Sequence, residues 1–547
     1  MTTVPTGVPA RSRAVLPLAI AQFIMVLDSS VMSVSISQLV EEFDTTVSTI
    51  QLAITLYALV MAALMLTGGK LGDLYGRLRM FRIGLVIYGI GSLITALAPT
   101  VGVLIAGWSF IEGAGAALVL PALAALVAGS YPDGAARARA YGLIGGVAGA
   151  GIAIGPLLGG WLTTEYSWRW VFAGEVVFVV FVIAVSGWIT EDRASLRRFR
   201  LDVVGALLSA SGLALIVIGV LQSGVWGWIQ PRQSPITPFG FSLTPFVVGG
   251  GLLVLWGFAA WERRVARRGG TPLLDLRNLG IPALRAGLAS LLAQNFVLLG
   301  LFFAIPLYLQ VTQGFDAFET GLRLLPTSIA MLVAAALGAR FGQPFGARTV
   351  TRAGLGTICL ACVVLLTTID PELSGVPFAI GMALLGLGTG LLASQLGNVV
   401  QSAVEPEARS EAGGLQYTAQ NLGSSLGTAL VGALMVGALA AGVTSLIAAD
   451  PDLESSVAEQ ATVRVSQGIE YLPPAQAEEA LLAAEVPEDQ VDDLIESYAS
   501  AQLAGVKIGI LVCAAATVLA LPATRRLPGR SSAAEGRPEQ DEVGLRP

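Results

Sequence analysis

A helix that crosses the hydrocarbon core of a bilayer needs about 20 consecutive, mostly apolar residues, and this chain holds fourteen such runs. They lie approximately at residues 14–37, 50–70, 82–98, 101–125, 138–163, 169–190, 202–223, 241–261, 284–311, 320–342, 351–368, 376–399, 411–440 and 502–522. Hydrocarbon offers no partners to backbone amides and carbonyls, so continuous runs of this length are expected to be helical. The expected fold is therefore all-α and integral to a membrane. Composition agrees, with 54% of residues hydrophobic and 13% charged, against about 25% charged in an ordinary soluble domain.

Lys and Arg concentrate in cytoplasmic loops, so they test the span assignment independently. If the N-terminus lies inside, all basic residues but Arg169, Arg232, Arg323, Arg464 and Lys507 fall in internal segments. Both termini are then cytoplasmic. The first run contains Asp28 and is too long for a cleavable signal peptide, so it reads as a first spanning helix. Thirty of the 32 basic residues are Arg, a bias of GC-rich genomes that points to a bacterial plasma membrane.

The formal charge of −6 is a local property, because 13 acids lie between Asp450 and Glu496. The basic residues form no stripe, which argues against a nucleic-acid partner. Cys359 and Cys362 form a C-x-x-C inside an apolar run, in a chain without histidine. They read as small packing residues, and no metal site or bound cofactor is expected.

The runs group as six, two and six: 1–190 a first bundle, 191–282 an extra pair with a basic linker, 283–522 a second bundle, and 523–547 a tail. A weak repeat supports duplication. Gly69-Lys-Leu-Gly-Asp73-Leu-Tyr-Gly76-Arg77-Leu-Arg79 follows the second run, and Ala339-Arg-Phe-Gly-Gln343-Pro-Phe-Gly346-Ala-Arg348 follows the tenth.

The first of these turns matches the loop signature G-x-L-x-D-x-x-G-R-x-R, and Gly151-Ile-Ala-Ile-Gly155-Pro156-Leu-Leu-Gly159-Gly160 matches G-x-x-x-G-P-x-x-G-G. Together with Leu27-Asp28-Ser-Ser-Val, Trp168-Arg169-Trp170-Val-Phe172 and Pro306-Leu-Tyr-Leu-Gln310, these motifs resemble the fourteen-span drug:proton antiporter branch of the major facilitator superfamily. The resemblance covers nearly the whole chain. It implies the major facilitator fold, 14 transmembrane helices arranged 6+2+6, and proton-driven export of amphiphilic compounds.

Gly151, Gly155 and Gly159 recur every four residues, so one helix face lacks side chains and another backbone can approach it closely. With the bend at Pro156 and the adjacent Gly160, this suits a seal or hinge. Asp73, Arg77 and Arg79, in a tight turn with Gly69 and Gly76, suit ion pairs that close the inner face.

Asp28, Glu112 and Glu175 are acids inside spans, where a charge costs roughly 2.5–3.5 kcal/mol even on lenient scales. At about 1.5 Å per residue, all three sit in the central-to-outer part of the membrane. Each must line a polar cavity or carry a proton, and with no histidine the acids are the available proton carriers.

The fourth span departs from the superfamily pattern R-x-x-Q-G-x-G, reading Ser109-Phe-Ile-Glu112-Gly113-Ala-Gly115. The family-typical coupling Arg is absent at Ser109. Ala173-Gly174-Glu175 stands where the branch more often has an Asn and Pro. The two added acids imply an electronegative cavity suited to cationic amphiphiles.

Gln51, Tyr57, Trp108, Gln294, Asn295 and Gln310 could contact substrate or bond helix to helix. The 441–500 loop is expected outside, with two short amphipathic helices beginning near Pro473 and Pro487. No phosphate-loop glycine pattern accompanies Gly69-Lys70-Leu71, so an ATP-driven pump is disfavoured. The alternatives to an exporter are a lipid or nutrient transporter and, distantly, a membrane-embedded enzyme. The expected partners are a small amphiphile, protons and the bilayer, with the protein acting as a monomer.

Overall fold

A computed structural model describes residues 15–130, 135–189, 201–371, 373–405, 408–449, 471, 477, 482 and 488–529. Among these residues the regular structure is helical and no strand occurs. The helices are α1 Val15–Val34, α2 Ile36–Glu42, α3 Val47–Tyr75, α4 Arg77–Ala96, α5 Val101–Leu104, α6 Gly113–Ser130, α7 Ala135–Glu165 and α8 Arg169–Val185. They continue with α9 Val203–Trp226, α10 Thr244–Arg267, α11 Pro282–Leu307, α12 Ala317–Phe345, α13 Ala347–Leu366, α14 Gly375–Ser402, α15 Arg409–Ala449 and α16 Glu488–Ala520.

Among the described residues thirteen helices are long and apolar enough to cross a membrane. The fifth expected span, 138–163, is not among these thirteen, although helix α7 occupies it. Two spans contain π-helical segments that apolar periodicity does not announce: Ile105–Glu112 joins α5 to α6, and Tyr308–Thr312 ends α11. The short helix expected after Pro487 is not separate. It is the first part of α16, because no Gly or Pro interrupts the chain between Glu488 and Leu503. The amphipathic stretch expected at Pro473 lies outside the described residues.

Local chemistry sets several helix ends. Thr46 accepts from the Thr49 amide at 3.1 Å to cap α3, and Asp202 accepts from the Gly205 amide at 2.8 Å to cap α9. Gly76 (φ 102°) and Gly346 (φ 78°) turn the chain sharply between α3 and α4 and between α12 and α13. Positive φ strains any residue with a Cβ, so the glycines of the two repeated turns are required by geometry.

Helices α1–α8 pack mainly among themselves, as do α11–α16. The two groups meet along two seams, α7 against α12 and α3 against α15. The glycine-rich motif lies at the first. A Cβ on Gly151 or Gly159 would press on Val26 or Val31 of α1, and one on Gly155 would collide with Ser30. The far side of α7 meets α12: a Cβ on Gly160 would collide with the Ala317 backbone, and one on Gly321 with the Pro156 carbonyl. One helix therefore touches both halves through small residues.

The extra pair, α9 and α10, pack on each other, and α9 lies across the second seam. There Leu213 and Val217 pack with Leu56 and Leu59 of α3 and with Leu422 and Leu426 of α15.

Overpacking a tight contact costs about 1–3 kcal/mol. Gly155→Val and Gly160→Val are therefore each expected to lower the thermal midpoint of the purified, detergent-solubilised protein. Gly174→Ala, where a Cβ meets nothing within 4 Å, is expected to hold or raise it, since Ala gains over Gly inside a helix.

Candidate functional site

The three acids of the spans converge, with carboxylate oxygens of Asp28 (α1), Glu112 (the π segment) and Glu175 (α8) within 4.8 Å of one another. All three are buried, with Asp28 and Glu112 at 0% exposure. They are the described residues whose carboxylates could share one small cation or a common pool of protons.

Each acid has different surroundings. Asp28 accepts from the Trp108 indole N–H, at 2.9 Å to Oδ1 and 3.1 Å to Oδ2. Trp108 is itself held flat against Tyr57 of α3, with ring centroids 4.7 Å apart and planes 6° from parallel. Glu175 Oε2 lies 2.8 Å from Ser92 Oγ and 3.2 Å from the Tyr88 hydroxyl, both on α4. Neither carboxyl oxygen of Glu112 has a hydrogen-bond partner, and Glu175 Oε1 has none.

The π segment brings Trp108, Ser109 and Glu112 inward together, all buried. Ser109 Oγ donates to the Ala53 carbonyl at 2.8 Å and fastens the segment to α3. Behind Glu112, a Cβ on Gly91 would lie 2.5 Å from the Glu112 amide nitrogen, so α4 approaches closely because that residue is Gly. A π turn is often found where a helix is adapted to a functional site.

Among the described residues no Lys or Arg forms an ion pair with any of the three acids. Two unit charges separated by up to 4.8 Å repel by about 3 kcal/mol or more at an effective dielectric of about 20. Desolvation adds several kcal/mol per ion. The group cannot hold three negative charges in this conformation.

Of the other polar residues, Gln51, Gln294 and Gln310 bond helix to helix, and Asn295 bonds within its own helix. Gln51 Nε2 donates to the Thr428 carbonyl at 2.9 Å across the α3–α15 seam, and Ser425 Oγ donates to the Thr55 carbonyl at 2.9 Å. Gln294 Nε2 donates to the Thr389 carbonyl at 3.0 Å, and Asn295 Nδ2 to the Leu291 carbonyl of its own helix at 2.9 Å. Gln310, in the second π segment, accepts from the Ser37 amide and hydroxyl at 3.1 and 2.7 Å and donates to the Val34 carbonyl at 2.9 Å. It clasps the two helix groups together.

At the end of the bundle that carries Gly76, Arg77 pairs with Asp73 at 3.0 Å and donates to the Ala125 carbonyl at 3.4 Å, while Arg79 is exposed. Among the described residues an ion pair crosses between the helix groups, Lys70–Glu411 at 3.3 Å. Glu411 Oε1 also accepts from the Asp275 amide at 2.9 Å and from Asn278 Nδ2 at 3.0 Å, so the linker between α10 and α11 is fastened to the same carboxylate. Arg277 in turn holds the Asp275 carboxyl below the usual carboxylate range.

Lys70 and Asp73 lie near each other in the chain, but Glu411 is remote and carries no motif. Tyr88 and Ser92 were also missed. The one available signal was their i, i+4 spacing on the third span.

Two outcomes follow. Trp108→Phe removes the donor to a buried carboxyl, a loss of about 1–3 kcal/mol, and is expected to lower the thermal midpoint more than Tyr57→Phe does. Lys70→Glu and Glu411→Lys are each expected to lower the thermal midpoint of the purified protein, and the double exchange to restore part of it.

Comparison with known proteins is consistent with this architecture. The family model described as Major Facilitator Superfamily matches residues 18–428. A probable actinorhodin transporter of Streptomyces coelicolor is 31% identical over 435 residues, covering 78% of this chain and 73% of the relative. A cephamycin export protein of Amycolatopsis lactamdurans is 31% identical over 420 residues, covering 75% and 82%. The multidrug resistance protein Stp of Mycobacterium tuberculosis is 27% identical over 435 residues, covering 80% and 76%. Among solved structures, an inward-facing bacterial homolog of the human lysosomal transporter Spinster superposes with a TM-score of 0.58 at 16% identity, covering 95% of this chain and 98% of that one. The chain is a multi-pass protein of the bacterial cell membrane, a transporter and not an enzyme, and it belongs to the drug-efflux branch of the Major Facilitator Superfamily.

Proposed function

We propose that the protein is a proton-driven antiporter that expels amphiphilic, cationic compounds by alternating access. The observation that carries this reading is the meeting of Asp28, Glu112 and Glu175 in one buried group with no basic counter-ion among the described residues. Such a group holds protons while closed and gives them up when water or a cationic substrate reaches it. The relatives named for antibiotic export or resistance support the direction of transport.

In this reading fourteen spans are arranged 6+2+6 with both termini in the cytoplasm. Residues 1–190 and 283–522 form the rocking bundles, 191–282 the extra pair and linker, and 523–547 the tail. Lys70–Glu411 and the Asp73–Arg77 turn close the cytoplasmic side, while Gln310 and the α7–α12 contact close the outer side. The monomer works with the proton gradient and no bound cofactor.

The test uses inverted membrane vesicles, acid inside, with a fluorescent reporter of the pH gradient. Ethidium is expected to release protons from the lumen, and Asp28→Asn to slow that release about tenfold or more, equivalent to roughly 1.4 kcal/mol of barrier. Absence of proton release across a panel of lipophilic cations would remove the antiport reading and favour lipid or nutrient transport.

A further inference from the structure

Resting on the antiport reading, we propose that Glu112 and Glu175 each carry a proton in this conformation while Asp28 is the one carboxylate, and that each turnover exchanges two protons. The hydrogen-bond partners distinguish the three acids.

Both Asp28 oxygens face the Trp108 indole N–H, a group that donates and cannot accept. A carboxylate suits that place. Glu112 is the opposite case: it is fully buried and neither oxygen is within hydrogen-bonding geometry of a donor, the Tyr88 hydroxyl nearby being engaged with Glu175 at 3.2 Å. A bare charge there would be buried without a hydrogen bond and beside two other carboxyl groups within 4.8 Å, whereas a carboxylic acid is neutral.

Glu175 is assigned by counting hydrogens. Ser92 Oγ lies 3.1 Å from the Phe172 carbonyl and 2.8 Å from Glu175 Oε2. One hydroxyl hydrogen serves one of these contacts, and a carbonyl only accepts. A proton on Glu175 Oε2 satisfies both: Glu175 donates to Ser92, and Ser92 donates to Phe172.

The groups packed around the acids are Tyr57 from α3, Tyr88 and Ser92 from α4, and Trp108 from the π segment, all uncharged. The negative charge left on Asp28 is therefore where an incoming cation is drawn. Two protons entering against one monovalent cation leaving carry one net positive charge inward, so transport is electrogenic.

Infrared spectroscopy of the purified protein at neutral pH reads protonated carboxyl groups directly through their C=O stretch. Glu112→Gln and Glu175→Gln are each expected to remove one such band from the wild-type spectrum, and Asp28→Asn to remove none. Loss of a band in Asp28→Asn, or no loss in either glutamate variant, would overturn the assignment, and this readout does not depend on knowing a substrate.

In proteoliposomes without a membrane potential, the steady ethidium gradient is expected to follow the square of the proton gradient, and its first power in Glu112→Gln. A first-power dependence in the wild type would overturn the two-proton exchange while leaving antiport intact. Ethidium movement indifferent to the proton gradient would overturn antiport and the two-proton exchange together, with the infrared bands still deciding which acids are protonated.

Discussion

Carboxyl groups placed in an apolar bundle, with no basic partner among the described residues, constrain everything built around them. Trp108, Tyr88 and Ser92 supply hydrogen-bonding groups to two of the three, and Glu112 has none. Such a group is tolerable only while protons or cations compensate it, so its occupancy and the packing of α1, α4, α8 and the π segment are linked. A change in either alters the stability of the other, which is the physical requirement for a coupled transporter.

The seams carry the second requirement, that the two helix groups come apart and rejoin without unfolding. Small residues form the α7–α12 contact, so little side-chain interdigitation has to be undone there. Polar bonds across the halves, among them those from Gln51, Ser425, Ser328 and Gln310, end mostly on backbone carbonyls. These are discrete contacts that can be broken and remade as units, as a two-state rocking motion requires.

Most of the fold could be read from the chain, because a spanning helix declares itself by length and apolarity alone. The three acids were equally legible, since a charge within such a run has few inconspicuous explanations. Their convergence was not legible, because it depends on how three helices far apart in sequence rotate about their axes. The π segments were hidden too, since Ile105–Glu112 is as apolar as the helix around it. Gln51, Gln294 and Gln310 could be read equally as substrate contacts or as helix-to-helix bonds, and only neighbouring carbonyls distinguish the two. Glu411 was passed over because its role comes from the linker and Lys70, to which no local pattern connects it.

The position of α9 has a consequence for how the protein meets its lipid. By lying over the α3–α15 seam it leaves the two sides of the molecule unequal. On the α7–α12 side the large apolar side chains Ile154, Trp161, Leu322 and Ile329 remain exposed. The bilayer therefore wets one flank of the dividing line and is shielded from the other, and a molecule dissolved among the acyl chains meets the line between the halves from a single direction.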